Sequence, residues 1–113
     1  SKILVLLNLS VGVASSGYDL GINLVRNGTN IAQGTGGSGN ITQAVGNPGS
    51  NAHGNTINMN YLDSPATTST LTYKMVVRAG TNGISTFIGG TSDTGDNNRA
   101  SVPTIITVME IAP

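Results

Sequence analysis

The sequence predicts an all-β domain, a sandwich or a closed barrel. Three observations carry that prediction. No stretch sustains a helical period, and apolar residues instead alternate or run in short blocks. Each block is bounded by segments rich in Gly, Pro, Asn or Asp. Gly, Ser, Thr and Asn together make up close to half of the 113 residues, a composition that favours turns and pleated surfaces over helices.

In order, the pattern marks eight candidate segments, over residues 2–14, 18–26, 29–33, 40–45, 55–62, 70–79, 84–88 and 103–112, and about seven strands are expected among them. The second and third flank Asn27-Gly28, whose residues tolerate the positive φ of a type I′ hairpin turn. Ile57, Met59 and Tyr61 share one face of their strand, with Asn58 and Asn60 on the other. Leu71, Tyr73, Met75 and Val77 repeat that alternation. The two outermost strands differ. Ile3-Leu4-Val5-Leu6-Leu7 is apolar at consecutive positions, and so nearly is 105–111. Such strands call for burial on both faces. Either the barrel closes tightly around them, or a second copy of the chain covers them.

Length suits a single domain over 1–113. There are no cysteines, which excludes disulfides and thiolate metal sites. Five basic residues balance five acidic ones, all scattered, so no basic stripe suits a nucleic-acid partner. No run of apolar residues is long enough for a membrane span.

Motifs with chemical potential are few. Gly34-Thr35-Gly36-Gly37-Ser38-Gly39 fits G-x-G-x-x-G, but Gly46 and Pro48 leave no room for the helix that a dinucleotide site needs. His53 is the single histidine and lies in a Gly/Asn-rich loop, with no cysteine to activate and no serine in a G-x-S-x-G context. Asp93, Asp96, Asn97 and Arg99 form the one charge cluster, in a loop. Two carboxylates with neighbouring amides could hold a hard cation, although Asx-turns account for the same residues. No cofactor and no catalytic residue is expected, and the chain reads as a non-enzyme.

Three segments carry a resemblance. Leu24-Val25-Arg26-Asn27-Gly28-Thr29 resembles the "LxRxGT" hairpin of a group of phage tail-fibre and virion-surface domains. Leu62-Asp63-Ser64-Pro65-Ala66-Thr67-Thr68-Ser69, followed by Leu71-Thr72-Tyr73-Lys74, resembles their "LDxPxTTSxxTYK" segment. Ile106-Thr107-Val108-Met109-Glu110-Ile111 is similar to their closing strand. The resemblance implies an antiparallel jelly-roll β-sandwich of the C1q/TNF-like kind, assembled as a homotrimer on the virion surface of a tailed phage. It implies a tail-fibre or receptor-binding domain contacting other virion proteins and a bacterial surface receptor, with a capsid decoration (cement) protein as the alternative. Receptor contacts would fall on loops, with Asp93, Asp96, Asn97 and Arg99 as the first candidates. The middle segment reads as scaffold, with Asp63 capping a turn and Pro65 fixing φ. Family members carry a further strand upstream of the position of Ser1. With about seven strands counted against the eight of a jelly roll, one more is expected before Ser1 or from a neighbouring chain, this chain being the C-terminal part of a longer one.

Overall fold

The computed structural model describes residues 1–13, 20–35, 43–45, 55–79, 86–89 and 103–113. They form eight strands: β1 (Lys2–Val13), β2 (Leu20–Arg26), β3 (Thr29–Ile31), β4 (Gln43–Val45), β5 (Asn55–Asp63), β6 (Tyr73–Ala79), β7 (Thr86–Ile88) and β8 (Ile105–Ile111). Each of the eight apolar blocks holds a strand, so the expected count of about seven is corrected to eight. That removes the strand-count argument for a further strand before Ser1.

The strands make two antiparallel sheets in a β-sandwich-like arrangement, and both are built alike around one long strand. In the first sheet, β1 pairs along one edge with β5, from Ile3 opposite Asp63 to Val11 opposite Asn55. Its other edge is shared end to end by β8, against Lys2 to Asn8, and β7, against Val11 to Val13. In the second sheet, β2 pairs along one edge with β6 and on the other with β3 and β4. Each sheet therefore has four strands but is three wide.

Side chains alternate across each sheet, so register decides burial. The odd positions of β1 face inward: Val5, Leu7, Leu9 and Val11 are buried. Leu7, Leu9 and Val11 meet Leu20 and Ile22 of β2 and Ile57 of β5, with Met59, Met75 and Val77 packed at the margin. The even positions of β1 face away from this core, and Leu6 is 36% exposed. In β2, by contrast, both faces are covered. Val25 and Gly21 are buried along with Leu20, Ile22 and Leu24. A pattern read for double burial at the two outer strands is thus realised at β2.

The Asn27-Gly28 hairpin forms as predicted. Arg26 pairs with Thr29 across it. Asn27 has φ of 48° and Gly28 of 85°, the left-handed pair of a type I′ turn. Asn27 also fastens this turn to the entry of β6. Its backbone N–H donates to the Thr72 carbonyl at 2.9 Å, and the Thr72 N–H donates to its Oδ1 at 2.8 Å.

Two substitutions test this account. Leu9→Ala empties a fully buried site at the middle of the core and should cost about 3 kcal/mol in urea unfolding. Gly28→Ala meets no atom within 4 Å of the added methyl, so only its φ of 85° is at stake. It should cost about 1 kcal/mol and leave the unfolding slope unchanged.

Candidate functional site

Two features of the described residues stand out chemically, a buried polar cluster between the sheets and an uncovered apolar strand.

The polar cluster is centred on Asp63, the last residue of β5, which is only 4% exposed. Asp63 sits on the inward face, in line with Ile57, at the end of the sandwich where the apolar core runs out. Arg26 reaches it from β2, its Nη1 lying 2.7 Å from both carboxylate oxygens. Tyr73, which pairs with Arg26 in the second sheet, donates its hydroxyl to Oδ2 at 2.6 Å. The Ser64 N–H donates to Oδ1 at 2.9 Å, which is the turn cap expected of Asp63. A buried carboxylate is tolerated because every side of it is answered by a donor.

Burial alone would raise the Asp63 carboxyl. The hydrogen bonds from Tyr73 and Arg26, with the Arg26 charge, outweigh burial and hold it below the usual carboxylate range. Burial and the bond to Asp63 push the Tyr73 hydroxyl up to about 12. Arg26 is held charged chiefly by its hydrogen bond to Asp63. All three groups are committed to one another. The cluster ties sheet to sheet, and it joins the first two segments of the sequence resemblance at one place.

The second feature is β8. All seven of its residues are exposed, although five are apolar. Ile105, Met109 and Ile111 lie on the outer face of the first sheet, beside Leu4 and Leu6 of β1 and Leu62 of β5. Ile106 and Val108 lie on the inner face, opposite Leu7 and Val5, yet remain 41% and 45% exposed. Their neighbours on β1 are buried under the second sheet, so β8 overhangs it. Among the described residues β8 pairs with β1 alone, and its far edge is free. A shallow groove lined by Leu6, Leu7, Asn8, Pro103, Ile105 and Thr107 runs where β8 begins. The outer face turns polar away from this region. There the Asn8 amide donates to Asn58 at 2.6 Å, across the β1–β5 ladder.

The loop expected to carry receptor contacts, with Asp93, Asp96, Asn97 and Arg99, lies outside the described residues, as do His53 and most of the Gly34–Gly39 run. The described residues hold no group of three or more His, Cys, Asp or Glu side chains that could share a metal ion. They hold no helix long and apolar enough to cross a membrane. Sequence reasoning placed Asp63 in scaffold but missed its partnership with Arg26, 37 residues away, because no local spacing encodes it.

No family model, curated protein or solved structure matches the chain.

The cluster predicts a specific pH dependence. The depressed Asp63 value contributes stability that is present above about pH 4 and is lost as pH falls through the lower folded value. The raised Tyr73 value contributes stability that is present below about pH 10 and is lost as pH rises toward about 12. Urea midpoints measured against pH should fall at both extremes. Tyr73→Phe should cost about 1–2 kcal/mol at neutral pH, the worth of a hydrogen bond to a charged acceptor. It should also flatten part of the alkaline fall. Asp63→Ala should destabilise more than Tyr73→Phe, because it removes the shared acceptor of Arg26, Tyr73 and the Ser64 N–H at once.

Proposed function

We propose that this chain is a non-catalytic, self-assembling virion-surface domain, a trimeric tail-fibre or receptor-binding domain of a tailed bacteriophage. The observation that carries the reading is the uncovered apolar region made by β8, Leu4, Leu6 and Leu62. Exposed apolar side chains contiguous over three strands are costly in water, and monomers keep such patches small. A chain whose working form is an assembly hides the region against its own copies.

Two further observations support the finer assignment. Eight antiparallel strands in two sheets of four, with the first and last strands paired, agree with a jelly roll. Each sheet is three strands wide here, with two strands sharing an edge end to end, so the assignment rests on strand number and end pairing. Arg26, Asp63 and Tyr73, which occupy matching positions in the resemblance to phage virion-surface domains, meet in one structural contact. That gives those residue types a reason to occur together in a scaffold. Low charge and abundant Thr and Asn suit a surface that stays soluble through hydroxyls and amides.

The test is the mass in solution. Light scattering at micromolar concentration should give three copies or a multiple of three. A folded, soluble monomer would overturn the reading.

A further inference from the structure

We infer that β8 is a twofold joint, in which the free edges of two copies pair antiparallel about Thr107. The inference goes beyond the proposed function, which needs the apolar region covered but does not say how.

β8 is exposed on both of its faces. A partner resting on the outer face of the first sheet would cover Ile105, Met109 and Ile111. It would leave Ile106 and Val108 wet on the other side. A strand added along the free edge packs beside both sets of side chains at once, because its own side chains alternate between the two faces. It also pairs the outward-pointing backbone groups of β8, which an uncovered edge leaves as a template for another chain.

The added strand needs apolar residues on both of its faces. Among the longer described edge strands, the outer side of β5 is mainly polar, with Thr56, Asn58 and Asn60 before Leu62, and that of β6 sets Val76 between Lys74 and Arg78. β8 itself meets the requirement, which makes the occupant a second copy of this chain. Its sequence is also symmetric about Thr107, reading Ile105-Ile106-Thr107-Val108-Met109. Antiparallel pairing about that residue sets Thr107 opposite Thr107, Ile106 opposite Val108 and Ile105 opposite Met109. Like meets like on both faces. Glu110 then falls opposite Thr104, at the polar margin. Pairing about Val108 instead would set Glu110 opposite Ile106 and Thr107 opposite Met109. The contact is isologous, each copy giving and receiving the same residues.

The absence of cysteine from the chain makes the test clean. Cα atoms directly opposite one another in an antiparallel pair lie within disulfide reach. Under mild oxidation, Thr107→Cys should convert nearly all of the protein to a disulfide-linked dimer. Ile111→Cys, whose copies lie far apart in this register, should link at least tenfold more slowly. Faster linkage through Ile111→Cys, or none through Thr107→Cys, would overturn the joint as drawn. Thr107→Lys and Thr107→Glu, each folded by circular dichroism, should each lose self-association through this edge and recover it when mixed. Failure to recover on mixing would also count against the joint. The mass of the unaltered chain separates the joint from the trimer. Six copies require both contacts, two copies require the joint alone, and three copies sink the joint while leaving the trimer standing. One copy overturns both.

Discussion

The structure depends on a conflict within β1. Its residues alternate between two faces by geometry, yet its sequence is apolar on both over its first half. Only one face can join the core of a two-sheet sandwich. Leu7, Leu9 and Val11 win that place by packing on Leu20, Ile22 and Ile57, and Val5 is buried on the same face. Their burial is worth about 1.5–3 kcal/mol per side chain, which fixes the register, since a slip of one residue would exchange the faces. Leu4 and Leu6 are left outside as a direct consequence. The apolar outer surface follows from the way the core is satisfied.

Asp63 settles how the sheets are held at the end the apolar core does not reach. Its carboxylate, on the first sheet, gathers two strands of the second, β2 and β6, and a backbone N–H from the following turn. Such a contact is demanding of geometry, because each donor must point inward for the buried charge to be tolerated. It therefore constrains the angle at which the sheets meet. Its energetic contribution is smaller than that of the apolar core. The Asn27 bonds to Thr72 work next to it, so hairpin, clasp and the entry of β6 form one connected end.

Much of the fold was legible in the sequence because strands and type I′ turns are local. Asn27-Gly28 announced its turn, and the alternation of Ile57, Met59 and Tyr61 announced its inner face. Strand boundaries moved by a few residues. Residues 70–72 were read as strand, but only from Tyr73 does a ladder with β2 form. Each expected segment holds a strand, and the shortest, β3, β4 and β7, are only three residues long. What pattern could not supply was which neighbour each strand takes. The contact of Arg26 with Asp63 and the overhang of β8 are long-range facts, set by how the sheets cross. The double burial of β2 was hidden for the same reason. Gly21 and Asn23 give its outer face little apolar signature.

The pairing of β1 with β8 also has a mechanical consequence. Lys2 lies opposite Ile111, so the two ends of the described fold emerge side by side from one rim. Tension applied between them would open the ladder rung by rung, like a zip, at low force. Tension entering at Lys2 and leaving through the far rim would instead shear the whole β1–β5 ladder, from Ile3 to Val11, all at once. The same strands are compliant along one axis and stiff along the other. A body anchored near Lys2 and pulled from its opposite tip would meet the stiff direction.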